Sequence, residues 1–161
     1  MHSRATALVR ALGMQPHPEG GYYREVYRSS ATVQPADGRG IRLALTTIYF
    51  LLAAGDVSRW HRVGSDEVWH HYEGDPLELL TADATFDRIT RHELGPVGDT
   101  MQPVHTVPAG VWQAARSRGA YTLVGCTVGP GFEFADFEMA RDRPDAAELI
   151  GRGHADAAPF L

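Results

Sequence analysis

The chain has 161 residues and a formal net charge of −5, and all 15 of its basic side chains are arginine; lysine and asparagine are absent. Without lysine there is no Schiff-base chemistry of the pyridoxal-phosphate or aldolase kind and no Walker A phosphate loop, and without asparagine there is no N-glycosylation acceptor. The acidic balance argues against nucleic acid as a partner, the longest apolar stretch (around Ile48 to Ala54) is far below a membrane span, and the lone Cys126 excludes an internal disulfide and reads as core filler. One domain over residues 1–161, in a reduced, soluble, cytoplasmic protein, is the expectation.

The pattern opens with a helix over about 3–12, with Ser3 as N-cap, Leu8 and Leu12 on one face and Gly13 as the C′ residue. The Gln15-Pro16-His17-Pro18-Glu19-Gly20-Gly21 segment fits neither helix nor central strand. Beyond it the period drops to two: Tyr23, Glu25 and Tyr27 share one strand face, and Tyr22, Arg24, Val26 and Arg28 the other. Further strands are predicted at Arg42–Leu52, Glu67–Glu73, Leu77–Thr81, Phe86–Glu93, His105–Val107, Val111–Ala115, Tyr121–Val128 and Phe132–Met139. Turn chemistry separates them, for example Gly74-Asp75-Pro76 and Gly129-Pro130-Gly131. Short strands at this spacing predict an all-β sandwich or barrel over about 20–140, closed by a short helix at 144–150 with Pro144 at N1.

Polar and aromatic side chains are densest from Ser58 to Pro76. Strand parity puts Glu67, Trp69 and His71 on one face and Val68, His70 and Tyr72 on the other, with His61 across a turn. His61, Glu67 and His71 have the composition of a two-His-one-carboxylate metal site; the plainer alternative is a histidine pair that is exposed or bonded to a neighbouring carboxylate. The glycines after Glu19 permit close backbone approach, which makes Glu19, Tyr23, Arg24 and Glu25 a second candidate group, against the alternative that the tyrosines fill the sheet and Glu25 pairs with an arginine. Trp60, Trp69 and Trp112 either pack or wall a pocket. Thr47 and Tyr49 are inward candidates on the long strand, and the side taken by Asp136 is open. Arg88, Arg91, Arg116, Arg118, Arg141 and Arg143 read as a solvated surface.

These residues resemble the cupin superfamily. Its first motif, two histidines spaced HxH, a glutamate, six residues and a glycine, is matched by Arg59-Trp60-His61, Glu67 and Gly74; its second, PxG with a histidine beyond, by Pro108-Ala109-Gly110 with Gln113 in the histidine's place. HPEGGYYRE (17–25), TTIYFLL, WHRVGSDEVWHHYEGDPLELL, VPAGVWQAA and GPGFEFADFEM resemble a branch of that superfamily long catalogued as a domain of unknown function. The resemblance implies a double-stranded β-helix jelly roll similar to sugar-nucleotide epimerases, and a homodimer; an open sandwich's edge strands also need covering.

Arginine is always charged and donor-only, so Arg59 cannot replace a histidine ligand; pointing inward it attracts an anion. The first expectation is therefore an isomerase- or epimerase-like enzyme that moves a proton next to a carbonyl on a sugar-like, carboxylate- or carbonyl-bearing substrate. His61 is its base, Glu67 the orienter or acid, Arg59 and Gln113 the clamps, and Tyr49 or Tyr72 a second proton donor. His71, Trp69, Trp112, Glu19, Tyr23, Glu25 and Thr47 are its substrate-facing candidates, and the ligand is expected to be anionic or polyhydroxylated. The alternatives are a metal-dependent dioxygenase, lyase or isomerase holding Fe, Ni, Mn or Zn on His61, Glu67, His71 and Gln113, and a non-catalytic ligand-binding or sensor module.

Overall fold

Two antiparallel sheets face each other in a jelly roll, with a helix on each outer side. The computed structural model describes residues 1–161. In chain order its elements are α1 (Ser3–Ala11), β1 (Gln15–Pro16), β2 (Tyr22–Arg28), β3 (Thr32–Val33), β4 (Arg42–Leu43), β5 (Thr46–Ala53), β6 (Val57–Val63), β7 (Asp66–Gly74), β8 (Leu77–Ala82), β9 (Ile89–Leu94), β10 (Val104–Val107), β11 (Trp112–Ser117), β12 (Tyr121–Gly129), β13 (Phe137–Met139) and α2 (Pro144–Gly153). One sheet runs β1-β2-β5-β12-β7-β10, the other β13-β6-β11-β8-β9, and β3 pairs with β4 alone. No helix is long and apolar enough to cross a membrane.

Alternation along the strands sorts the apolar residues into three layers. Between the sheets lie Phe50, Leu52, Trp69, Leu79, Val124 and Cys126. On the outer face of the second sheet, Trp60, Phe86 and Trp112 pack against Ala146, Ile150 and Phe160 of the C-terminal segment. On the outer face of the first, Leu51 and Leu123 pack beneath Ala5 and Leu8 of α1. The helices therefore cover sheet faces and leave the barrel interior to the strands.

Three strands each carry one extra residue. Ser58 and His61 of β6 stand opposite Ala115 and Gln113, so three steps answer two. Glu25 and Tyr27 of β2 answer Ile48 and Thr47, and His71 and Glu73 of β7 answer Val124 and Leu123. Each such bulge reverses the alternation beyond it.

Several sequence expectations are corrected here. The cap of α1 is His2, whose Nδ1 accepts from the Arg4 N–H, and not Ser3; Gly13 follows the C-cap at φ +62°, as C′ glycines do. The strand predicted from Arg42 to Leu52 is broken, because Ala44 N–H donates to Ala31 and the Leu45 carbonyl accepts from Ser29 instead of joining the sheet ladder. Phe86 does not begin a strand; it adopts φ +54° and is buried in the outer core. Phe132–Met139 is a strand only over its last three residues, since the chain here crosses from β12 in one sheet to β13 in the other. Nor are Arg91, Arg116 and Arg118 merely solvated: they converge on the buried Glu78, with Arg91 Nη1 and Arg116 Nε donating to it at 2.9 and 2.6 Å. Arg143 pairs with Glu138 and Asp145.

Asp136 faces neither cavity nor solvent. Arg42 donates to both its oxygens at 2.7 and 2.8 Å, and Arg39 Nη1 adds a third bond at 3.0 Å. The carboxylate ties the loop before β4 to the crossing segment, and its pKa is lowered, first by the bond from Arg42. Asp136→Ala removes three charge-assisted bonds and leaves Arg42 without a carboxylate, while Arg39 keeps Asp37, and is expected to cost about 2–3 kcal/mol, roughly 5–10 °C in Tm. Because the folded-state pKa lies below the unfolded value, the contribution is present above the ordinary aspartate range and lost as pH falls through the folded pKa, so the wild-type advantage in thermal denaturation should shrink in acid.

Candidate active site

A cavity of about 390 Å³ opens at one end of the sandwich, within the range of small-molecule sites. Its floor is built by two backbone devices. Gly20 and Gly21 take φ +115° and +68°, and a Cβ on them would stand 2.1 Å from the Val57 carbonyl oxygen and 2.7 Å from the Leu51 carbonyl oxygen. Only glycine permits that approach. It seats the His17–Gly20 turn on β6, where the Glu19 carbonyl accepts from Arg59 N–H at 2.9 Å and Arg59 Nη1 at 3.2 Å. The second device is the β6 bulge, which puts Ser58 and His61, three residues apart, on the inner face together.

Between these devices lies a chain of buried polar groups. Ser58 Oγ donates to Glu19 Oε1 at 2.8 Å. Glu19 Oε2 lies 3.4 Å from both His17 Nδ1 and His61 Nε2. The other nitrogen of His61, Nδ1, is 2.7 Å from the Arg59 carbonyl oxygen, which can only accept, so Nδ1 carries the proton and Nε2 presents a lone pair to Glu19. His17 Nδ1 accepts from the Glu19 N–H at 3.3 Å, which assigns the proton of His17 to Nε2. The His61 lone pair thus faces a carboxyl oxygen of Glu19, an arrangement that suits a proton carried by that oxygen.

Burial drives the charges in the matching direction. It pushes the Glu19 carboxyl up and both imidazoles down, with Glu19 itself partly opposing the fall at His17 and Glu67 that at His61. Both directions favour the neutral acid beside neutral imidazole over the separated charges. Glu67 completes the floor: Gln113 Nε2 donates to its Oε2 at 2.5 Å, the Cys126 thiol bonds to it, and burial raises its pKa against the opposing pull of His61. Burial raises the Cys126 thiol well above its ordinary value, so it serves as a donor and not as a thiolate.

The structure brings His61, Glu67, Glu19, Tyr23 and Glu25 to this cavity. His17, Ser58, Arg28 and the phenylalanines of the crossing segment were not singled out; His17, two residues before Glu19 in the HPEGG segment, carried the clearest signal. The other expectations are corrected. Arg59 is outside the cavity, turned away by the bulge, and holds the Glu19 backbone. Gln113 is inward but sealed beneath the floor: its Oε1 accepts from Trp69 Nε1 at 3.0 Å and its amide is committed to Glu67, so neither end is free for a ligand. Trp69 fills the interior beneath Glu67, and Trp112 lies on the opposite face of β11, under Arg62 in the outer core. Thr47, Tyr49 and Tyr72 are off by one: Thr46, Ile48 and Phe50 point inward, Thr47 bonds Thr127 on the outer face, and Tyr49 meets Tyr72 there edge to face. Tyr27 is likewise outside, because the β2 bulge gives its inward place to Arg28.

The proposed metal triad does not assemble. His71 shares the face of Glu67 but is four residues, roughly 13 Å, further along β7, and its Nε2 is tied to the Asp75 carbonyl. No three His, Cys, Asp or Glu side chains converge with ligand geometry. The carbonyl of Gln113, the remaining donor, is occupied by an indole N–H. This donor set does not fit a resident divalent ion.

Residues 6–140 match the family described as Cupin superfamily (DUF985). No curated protein matches the chain. A hypothetical protein from Leishmania major is 33% identical over 97% of this chain and 96% of its own, with a TM-score of 0.81. Protein SO0799 from Shewanella oneidensis is 30% identical over 97% and 96%, with a TM-score of 0.84. Oxalate decarboxylase from Bacillus subtilis, 15% identical over 77% of this chain and 29% of its own at a TM-score of 0.56, shares the fold. With its jelly roll, its paired motifs and this match over most of its length, the chain belongs to the cupin superfamily, in the family DUF985.

Proposed function

We propose that this cupin is a small-molecule enzyme of the isomerase or epimerase kind, moving a proton to and from carbon next to a carbonyl. The observation that carries the reading is the Glu19–His61 pair, a buried acid and a base lone pair facing each other at 3.4 Å in an accessible cavity. A catalytic pair that is long in the free protein can tighten around substrate.

When a carbonyl compound enters, Glu19 Oε2 gives its proton to the carbonyl oxygen and His61 Nε2 takes the proton from the adjacent carbon. The C–H electrons become the C=C bond of an enol, and the reverse transfer to either carbon or either face completes an isomerisation or epimerisation without any co-reactant. The transient charges, carboxylate beside imidazolium, neutralise each other in a low-dielectric floor. Glu67, held by Gln113 and Cys126, places a second carboxyl beside His61. Arg59 is a positioning residue acting through the Glu19 backbone. Manganese centres are named for Bacillus subtilis oxalate decarboxylase; here no step is routed through a metal, since His71 is tied to the Asp75 carbonyl and the Gln113 carbonyl to Trp69, away from His61.

Two outcomes test the reading. His61→Gln should lower α-proton exchange of a turned-over ketone or aldehyde in D2O by about 100- to 10,000-fold with thermal stability retained; unchanged exchange contradicts it. The rate should fall toward acid as His61 is protonated at a pKa lowered from 6.5, and toward base as Glu19 ionises at a pKa raised from 4.5. Glu19→Gln, which cannot ionise, should remove the alkaline fall along with most of the rate, whereas a purely structural Glu19 would leave the shape of the profile unaltered.

A further inference from the structure

The wall above the catalytic floor is aromatic. Phe132, Phe134 and Phe137 of the crossing segment meet edge to face at 5.1 to 6.2 Å, and the ring of Phe137 stacks on His61 at 5.4 Å. Phe50 and Tyr23 line the opposite side. Phe134 stands at the lip with 57% of its surface exposed, although the three rings otherwise cover one another. An exposed ring at the mouth of a cavity lined by other rings is a surface that a flat apolar group would cover.

Charge at the mouth is already compensated. Arg28 donates to both oxygens of Glu25 at 3.0 and 2.8 Å and to Glu133 at 3.1 Å, so one guanidinium stands among two carboxylates. The head of Arg24 lies against Gly13, at the rim. At Arg28 an entering carboxylate or phosphate therefore meets two glutamates around a guanidinium that is already bonded, and Glu25 and Glu133 together offset the charges of Arg28 and Arg24. The aromatic wall itself carries few hydroxyl partners: Tyr23 OH already accepts from Gln15 Nε2 at 3.1 Å and Thr46 Oγ1 from the Phe132 N–H at 2.9 Å, leaving each one O–H to donate. A polyol laid against the three phenylalanines would bury hydroxyls with few partners on that side, at a cost for each.

We infer that the cavity takes an uncharged carbonyl compound bearing a flat apolar ring, with the ring on Phe132, Phe134 and Phe137 and the carbonyl oxygen at Glu19. This assignment of substrate class rests on the proton-transfer reading of the floor and differs from the anionic or sugar-like ligand first expected, of which the anionic part leaned on Arg59, a residue outside the cavity.

The test uses the full chain and three probes: phenylacetone as the neutral aryl ketone, phenylpyruvate as its anionic counterpart and D-fructose as a neutral polyol. Calorimetry measures binding, and NMR in D2O follows exchange at the α-carbon. Phenylacetone should bind at least tenfold more tightly than either competitor, and Phe134→Ala should weaken it by about tenfold. Glu25→Gln combined with Glu133→Gln, which frees Arg28, should raise phenylpyruvate affinity. Phenylacetone failing to bind, equal or tighter binding of phenylpyruvate or fructose, or indifference of phenylacetone to Phe134→Ala overturns the assignment. Phenylacetone bound without exchange upholds the substrate class and contradicts the proton-transfer reading; exchange on fructose without phenylacetone binding does the reverse.

Discussion

A carboxyl group buried beside an imidazole is driven toward its neutral, protonated form, and that constraint governs the floor of this barrel. Isolated charges there would be costly, so Glu19 is held as the acid and His61 as the base. The surrounding bonds all serve one arrangement of protons. The Arg59 carbonyl takes the Nδ1 proton of His61, Ser58 donates to the Glu19 oxygen that carries none, and the Glu19 N–H fixes the tautomer of His17. Two glycines at positive φ and one inserted residue in β6 bring these groups together. The chemistry is thus set by backbone geometry as much as by side-chain identity.

The remaining structure isolates that floor. Trp69 and Gln113 close it from below, and α1 and α2 take their places on the outer faces without intruding on the interior. The crossing segment from β12 to β13 supplies the aromatic wall, and Asp136 pins it to the loop before β4 through two arginines. Five of the 15 arginines act here and around Glu78. Their planar, multi-donor heads satisfy buried carboxylates on the shell, and at the cavity mouth Arg28 is held by Glu25 and Glu133 while Arg24 stands at the rim.

Much of the fold was legible in the residues: period-two segments, turn dipeptides and both helices came out in place, and the cupin motifs gave the jelly roll. Glu67 and His61 were legible too, since strand parity and motif spacing agree on them. Arg59, Thr47, Tyr49, Tyr72 and Tyr27 were not. Thr47 and Tyr49 were misplaced because β5 starts at Thr46 with its own parity, set by pairing with β12 and not by its own composition. Tyr72 was read as facing the barrel although its parity opposes that of Glu67. Arg59 and Tyr27 lie at or beyond bulges, and one extra residue reverses every later side chain without leaving a mark in hydrophobic periodicity. His71 failed for another reason: sharing a face does not supply proximity, and four residues of extended chain separate it from Glu67. Gln113 had the right side and the wrong neighbours, because Trp69 and Glu67 occupy both ends of its amide.

The central claim is the proton arrangement at Glu19 and His61, and nitrogen-15 NMR of the histidine side chains reads it directly. The account predicts that His61 at neutral pH is uncharged with its proton on Nδ1, and that it takes up a second proton only below the ordinary histidine range. A His61 that is protonated on Nε2 alone, or is an imidazolium at neutral pH, would contradict it.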